Sequence, residues 1–187
     1  CTDVVDFNYD ATGVRETMIA EMDWWVANAG IDGFRCDVAG FVPIDFWNTA
    51  ITTLRANNGP LFMLAEWEDP ALIEAGFNAV YGWEFHHIMN EVAKGHKSVS
   101  AIAEYAAKCD TVWPAETMKM YFNTNHDENS WNGTVEERMG DLGNAMYILA
   151  SMMKRSFPLI YSGQEAGLNH RYPFFSKDTI GLDWSKT

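Results

Sequence analysis

Basic side chains are scarce in this sequence. Its 187 residues include 13 Lys and Arg against 26 Asp and Glu, which gives a formal net charge of -13. A chain of this charge repels a polyanion, so we expect no nucleic-acid partner. Long apolar runs are also lacking, and none approaches the roughly 20 residues of a membrane-spanning helix. We therefore expect no membrane span.

Cysteine is rare as well. The three cysteines, Cys1, Cys36 and Cys109, are an odd set, so the sequence predicts no full disulfide framework. The chain also lacks a glycine-rich loop of the kind that holds phosphates, and the motifs that surround a catalytic serine or cysteine. These absences argue against phosphate transfer on a P-loop and against a serine or cysteine nucleophile.

Apolar and aromatic residues are plentiful by contrast. Hydrophobic residues make up 48% of the chain and aromatic residues 14%, a composition that argues against disorder. The length suffices for one domain with a sizeable core. The flat rings of 8 Trp, 7 Tyr and 11 Phe suit a core and equally suit stacking on sugars. A neutral polysaccharide would not be repelled by the charge.

Short apolar runs bounded by Gly, Pro or Asn recur along the chain and predict buried parallel strands. They lie near residues 33–37, 61–66, 78–82, 121–125 and 157–161. Helical patterns separate them, and this alternation predicts an α/β fold.

The helices carry clear boundary signals. One is predicted from about 14 to 29, with an N-cap at Asp10 or Thr12, an apolar Met and Trp stripe, and a stop at Gly30. Pro43 opens the next, which ends before residue 59. Further helices are predicted over 98–108 and from the capping box at Thr134 to about Lys154.

Three of the apolar runs lead into an acid, namely Asp37, Glu66 and Asp127. The carboxyl ends of parallel strands are where α/β barrels place their chemistry. Side chains alternate along a strand, so Arg35 and Asp37 share one face, and Arg35 would keep Asp37 ionised. An internal salt bridge would produce the same pattern, so this stretch alone leaves a catalytic and a structural role open.

The order of these motifs is similar to that of a known family. Gly-Phe-Arg-Cys-Asp-Val-Ala at 33–39, Glu66 at a strand end and Asn-His-Asp at 125–127 closely resemble the α-amylase family of glycoside hydrolases, family 13. Val5-Asp6-Phe7-Asn8 and Tyr161-Ser162-Gly163-Gln164-Glu165 add to the resemblance, which covers essentially the whole chain. It implies the C-terminal part, about strands 4 to 8, of a TIM (β/α)8 barrel.

The resemblance also implies roles for individual residues. Asp37 would be the nucleophile, Glu66 the general acid/base, and Asp127 the third acid, which stabilises the transition state. Arg35 and His126 match further active-site positions that contact the substrate.

Two tryptophans are candidate sugar contacts. Trp67 directly follows Glu66, and Trp131 could stack on a sugar ring or close over the core. Many α-amylases have Lys-His where this chain has Gly40-Phe41, and those residues contact sugar beyond the scissile bond. This departure leaves the substrate specificity open.

Hydrolysis of a glycosidic bond commonly needs two carboxyl groups in different protonation states. Arg35 favours the charged form of Asp37. Glu66 follows Leu64 and Ala65 and precedes Trp67, and an apolar setting raises the pKa of a carboxyl group.

We therefore expect a retaining glycoside hydrolase that cleaves α-glucosidic bonds in starch-like or maltooligosaccharide substrates through a covalent glycosyl-enzyme intermediate. An α-glucan transglycosylase would use the same intermediate. Two other classes stay open: a barrel enzyme whose acids hold a divalent cation, and a carbohydrate-binding fragment without turnover.

No cofactor is expected for the chemistry, and no metal at the catalytic acids. Some family members bind structural calcium where Asp6 stands, although a lone Asp before a helix is more often a cap. His86 and Asn90 fall at helical spacing, but no third metal ligand stands out. A complete barrel needs roughly 250 residues, so we expect 1–187 to be a partial catalytic domain lacking the N-terminal half. The resemblance implies a secreted or periplasmic protein.

Overall fold

A computed structural model describes residues 5–186, which leaves Cys1 outside the described residues. The chain forms two compact units, residues 1–80 and residues 81–187. Each unit contains parallel strands alternating with helices.

The first unit begins with a long helix and continues as a strand–helix series. Its elements are α1 (Val14–Ala29), β1 (Gly33–Cys36), a 3-10 turn (Ala39–Phe41), α2 (Ile44–Asn58), β2 (Phe62–Ala65), the short α3 (Pro70–Glu74) and β3 (Ala79–Tyr81). Strands β1 and β2 are parallel, and so are β2 and β3. The three strands predicted for this part of the chain are confirmed.

The register of β1 against β2 determines where the acids emerge. Gly33 pairs with Phe62 and Cys36 pairs with Ala65. Asp37 and Glu66 therefore directly follow the paired ends of two adjacent strands. A Cβ atom at Gly33 would lie 1.8 Å from the carbonyl oxygen of Phe62. Glycine is therefore required at this position for the strands to approach as closely as they do.

Helix α1 has its predicted length but differs from prediction in two respects. Its N-cap is Gly13 in the left-handed conformation, with no side-chain cap from Asp10 or Thr12. No residue of α1 is buried, and Trp25 is half exposed, so the prediction that its apolar stripe is core was wrong for the described residues. The core of this unit is built on α2 instead, which buries Phe46, Trp47, Ala50, Ile51 and Leu54.

The second unit is richer in helix. Its elements are α4 (Trp83–Ala93), α5 (Ser100–Val112), β4 (Met118–Tyr121), a π-helix (Glu128–Asn132), α6 (Val135–Met139), a 3-10 turn (Gly140–Leu142), α7 (Gly143–Met152), β5 (Ser156–Pro158) and 3-10 turns at Gln164–Ala166 and Trp184–Lys186. Strands β4 and β5 are parallel. The core holds Phe85, Met89, Tyr105, Tyr121, Met139 and Met146.

Three predicted elements of this unit have different boundaries. Strand β4 ends at Tyr121, four residues before the predicted end, and β5 covers Ser156–Pro158 rather than 157–161. The capping box at Thr134 is confirmed, but the long helix that it was predicted to open is interrupted. Gly140 adopts φ 53° and ψ -139°, which lies outside the α-helical region, and α7 begins three residues later.

A buried polar cluster lies beneath the chain segment that follows β4. His86 is fully buried, and its Nδ1 lies 3.1 Å from the carbonyl oxygen of Phe122. Its Nε2 lies 2.9 Å from a carboxylate oxygen of Glu128. Burial raises the pKa of Glu128. The hydrogen bond with His86 and the electrostatic effects of His86 and Arg138 lower it by a larger amount, so the pKa is lowered overall. The ionised carboxylate of Glu128 can accept a hydrogen bond from Nε2 of His86.

Arg138 completes this cluster. Its guanidinium donates to the side chain of Asn90 at 3.0 Å, to the carbonyl of Asn123 at 2.7 Å and to the carbonyl of Gly133 at 3.0 Å. Both ends of the segment from 122 to 133 are therefore bound to buried polar side chains, His86 and Arg138. This segment contains His126 and Asp127, so the cluster fixes the backbone from which they project.

We predict that Glu128→Gln lowers the free energy of unfolding by about 3–5 kcal/mol at neutral pH, because the buried Arg138 guanidinium loses a nearby negative charge. The folded-state pKa of Glu128 is depressed, so the stability from its charge is present above the unfolded-state pKa and is lost as pH falls through the folded-state pKa. The difference in the free energy of unfolding between the variant and the natural chain should therefore become smaller at acidic pH. Denaturant unfolding as a function of pH measures it.

Glu91→Gln is the matched control, since Glu91 lies on α4 and pairs near the surface with Lys94 and His96. Glu91→Gln should lower the free energy of unfolding by less than about 1 kcal/mol. Equal losses in the two variants, or a Glu128→Gln difference that does not change with pH, would contradict the ion-pair assignment.

Candidate active site

The guanidinium of Arg35 contacts both candidate catalytic acids of the first unit, Asp37 and Glu66. Arg35 donates from Nη1 to Oδ1 of Asp37 at 2.5 Å and from Nη2 to Oε1 of Glu66. The side chain of Asp37 is 72% exposed, whereas that of Glu66 is only 10% exposed. The sequence predicted the contact between Arg35 and Asp37. The contact with Glu66 was not foreseen, because it depends on the pairing of β1 with β2.

Val38 contributes a backbone group that could not be expected from the amino-acid sequence. Its N–H donates to Oε2 of Glu66 at 3.0 Å, so both oxygens of this carboxyl group have a donor. Val38 adopts φ 44° and ψ 42°, a left-handed conformation that is rare for a β-branched residue. Strained backbone of this kind clusters at functional sites. Nothing in the residue type signals it, since valine disfavours the conformation.

The environment of Glu66 raises its pKa to about 7. Burial is the largest cause, and the hydrogen bond and negative charge of Asp37 raise the pKa further. The Val38 N–H and the Arg35 charge act in the opposite direction without cancelling the effect. Glu66 can therefore hold a proton near neutral pH, as an acid catalyst must.

Trp67 forms an aromatic face beside these acids. Its ring lies 5.0 Å, centroid to centroid, from that of Phe41, which is exposed. It also covers Gly40, where a Cβ atom would lie 2.2 Å from the indole ring. Sequence reasoning named Trp67 but missed that Gly40 and Phe41 form its support. Stacking of Trp67 on a sugar stays a prediction.

His126 and Asp127 lie in the second unit, in the turn that leads into the π-helix. Nε2 of His126 is 3.4 Å from Oδ2 of Asp127, and both side chains are partly exposed. Burial raises the pKa of Tyr161, and the charge of Asp127 adds to that shift.

Trp131 lies in the π-helix of the same unit and is 55% exposed. Its ring contacts Phe174 at 4.9 Å and Phe175 at 6.0 Å between centroids, and both of these rings are themselves exposed. Trp131 therefore does not lie over the core of its unit. Its contact with a sugar stays a prediction.

The calcium expectation rests on Asp6, which is exposed in the coil before α1. Oδ1 of the nearby Asn8 already accepts a hydrogen bond from the N–H of Asp10 at 3.0 Å. Calcium takes 6–8 oxygen ligands, and a single exposed carboxylate is a poor start for such a site. Structural calcium at Asp6 stays a prediction. Within residues 5–186, no helix has the length and apolar character to cross a bilayer.

Comparison with known proteins identifies the family of this chain. Residues 1–182 match the family described as "Alpha amylase, catalytic domain". A cyclomaltodextrinase from a Bacillus species is 24% identical over 87% of this chain and 30% of its own length. A noncanonic maltogenic alpha-amylase from Thermotoga neapolitana superposes with a TM-score of 0.83 at 32% identity, over 96% of this chain and 41% of that protein.

An alpha-amylase from Lactobacillus plantarum gives a TM-score of 0.82 at 28% identity, over 95% of this chain and 45% of its own. The chain thus spans less than half of the solved relatives and 25–30% of the curated ones. The predicted fold class, the C-terminal part of a TIM (β/α)8 barrel, is confirmed. The chain belongs to the alpha-amylase catalytic-domain family.

Proposed function

We propose that the protein carrying this chain is a retaining glycoside hydrolase that cleaves α-glucosidic bonds in maltooligosaccharides or starch-like glucans. The observation that carries the proposal is the pair of carboxyl groups held by Arg35, with Asp37 exposed and Glu66 buried. Retaining enzymes keep their two carboxyl groups only about 5–5.5 Å apart. A shared guanidinium supports such a short separation.

The first step transfers the sugar to the enzyme. A carboxylate oxygen of Asp37 attacks the anomeric carbon while Glu66 donates its proton to the glycosidic oxygen. The bond between the anomeric carbon and the glycosidic oxygen breaks, and the shortened glucan leaves as an alcohol. A glycosyl ester forms on Asp37. Glu66 is left as a carboxylate.

The second step releases the sugar. Glu66 takes a proton from water, whose oxygen attacks the anomeric carbon and displaces Asp37. Two displacements restore the original configuration, and both acids return to their starting protonation states. If a sugar hydroxyl takes the place of water, the same intermediate yields transglycosylation.

The different environments of the two acids support this division of labour. A pKa of about 7 keeps a substantial fraction of Glu66 protonated at neutral pH. Asp37 is more exposed and contacts the Arg35 cation, which favours a carboxylate. Every step uses side chains of the protein, so we propose that the chemistry needs no cofactor.

Substrate contacts complete the proposal. We assign to Asp127 the stabilisation of the positively charged transition state and to His126 a hydrogen bond to a sugar hydroxyl. Trp131 is exposed and Trp67 is partly buried, and we propose that both rings stack on sugars. Relatives named cyclomaltodextrinase and maltogenic alpha-amylase favour an α-glucan or oligosaccharide as the partner.

We predict that Asp37→Asn lowers turnover of maltooligosaccharides by roughly 10⁴-fold, because the variant cannot form the glycosyl ester. An activated fluoro-sugar should label Asp37 in the natural protein, as read by mass spectrometry of the peptides. Asp32→Asn is the control, since Asp32 is exposed just before β1, and it should keep full turnover. Labelling of Glu66 or Asp127 instead would overturn the assignment.

We predict that kcat/KM falls as pH rises above about 7, because the first step needs protonated Glu66 and its pKa is raised to about 7. Glu66→Gln should lose about 10²–10⁴-fold in turnover and should lose this alkaline limb on substrates with good leaving groups. Azide should restore part of its activity on those substrates, since an anionic nucleophile needs no base.

Glu74→Gln serves as the control for this pH profile, since Glu74 is exposed on α3, and it should retain the alkaline limb. An unchanged pH profile in Glu66→Gln, or near-normal turnover without azide, would count against the acid/base role.

A further inference from the structure

A hydrogen bond from helix α2 reaches the turn that follows Asp37. The indole Nε1 of Trp47 donates to the carbonyl oxygen of Ala39 at 3.0 Å. Ala39 is fully buried and Trp47 is 6% exposed, so this hydrogen bond lies away from water, where it is stronger than at the surface. It connects the core of the first unit to the backbone one residue beyond Val38.

Packing sets the position of this indole. The ring of Trp47 lies 5.3 Å from that of Phe46 and 5.1 Å from that of Phe77, centroid to centroid. Both neighbours are almost fully buried. Because side chains in a close-packed core occupy defined rotamers, the indole N–H is a fixed point to which the turn is attached.

Two further hydrogen bonds close the turn itself. The N–H of Phe41 donates to the carbonyl of Val38 at 3.0 Å, and the N–H of Val42 donates to that of Ala39 at 3.3 Å. Together with the bond from Trp47, they fix the two peptide planes that follow Val38. The angles of Val38 then determine the direction of the preceding peptide plane, which carries the N–H that binds Glu66.

Val38 does not favour those angles by itself. Its left-handed conformation, φ 44° and ψ 42°, is unfavourable for a β-branched residue. The cost is comparable to the net contribution of one or two hydrogen bonds. Removal of one bond that fixes the turn is therefore enough to let Val38 relax toward extended angles, which would turn its N–H away from Glu66.

We propose that Trp47 is a positioning residue for the acid/base, because its indole N–H fixes the turn so that the N–H of Val38 remains bound to Glu66. The inference rests on the role proposed above for Glu66. Trp47 acts through Ala39 and Val38, and it is the backbone of Val38 that contacts the carboxyl group.

The hydrogen bond from Val38 affects the ionisation of Glu66. It lowers the pKa of this carboxyl group, so loss of the donor should raise the pKa. Among the described residues of the first unit, the charged side chains that act on Glu66 are Arg35 and Asp37. Trp47→Phe removes neither of these charges.

The test removes the indole N–H and keeps an aromatic ring. In the intact protein, Trp47→Phe should move the alkaline limb of kcat/KM to higher pH by about one unit, the tenfold effect of losing a hydrogen bond to a charged group. In protein labelled with 15N-valine, the amide signal of Val38 should titrate with Glu66 in the natural chain. The amplitude of this titration should become smaller in Trp47→Phe.

Two further variants separate positioning from a general loss of packing. Phe46→Leu removes part of a buried ring next to Trp47 on α2, so it should lower stability and leave the alkaline limb where it is. Val38→Gly, added to Trp47→Phe, should return the limb toward its natural position, because glycine adopts left-handed angles without the penalty that valine meets.

An alkaline limb and a Val38 titration that are both unchanged in Trp47→Phe would overturn the proposal. So would an equal shift in Phe46→Leu, or no recovery on adding Val38→Gly. The amide titration also separates this inference from the catalytic one. If the natural protein shows no alkaline limb but the Val38 titration weakens in Trp47→Phe, the positioning by Trp47 stands and the acid/base role of Glu66 fails.

Discussion

The contact of Arg35 with both Asp37 and Glu66 is the constraint on which the catalytic proposal depends. Two carboxyl groups this close repel each other when both are ionised, so one proton is retained between them unless a cation intervenes. Arg35 compensates that repulsion only in part, and burial is the largest cause that raises the pKa of Glu66 to about 7. The arrangement requires β1 and β2 in one register, and that register requires a residue without a Cβ atom at Gly33.

The second unit solves a different problem, since it must present His126 and Asp127 from a segment with no strand to support it. Buried charge takes the place of sheet pairing: Arg138, Glu128 and His86 bind the carbonyls and side chains around the segment. Such groups are unfavourable in a protein interior unless each finds its partners. Here they do, and the backbone is held at several points rather than in a continuous ladder of hydrogen bonds.

The features that sequence predicted are those determined by neighbours in the chain. The alternation in β1, the stop of α1 at Gly30 and the capping box at Thr134 depend on a few adjacent residues. The early end of β4 and the left-handed Val38 depend on contacts that fold partners make. The adjacent positions of Asp37 and Glu66 were predictable because the ends of β1 and β2 are visible in the sequence. Their shared guanidinium was not, because it joins residues 31 positions apart.

The contact between Gly40 and Trp67 links two positions that sequence comparison would treat separately. A side chain at position 40 would occupy space that the indole ring already fills. The Lys-His pair common at this place in many α-amylases could not be introduced here while the ring kept its position. A change of specificity through this loop would therefore have to replace Gly40 and Trp67 together. Replacing Gly40 alone would produce a clash with the indole ring, and replacing Trp67 alone would leave the surface beside Gly40 without its packing partner. Substitutions at these two positions are thus expected to occur together in evolution.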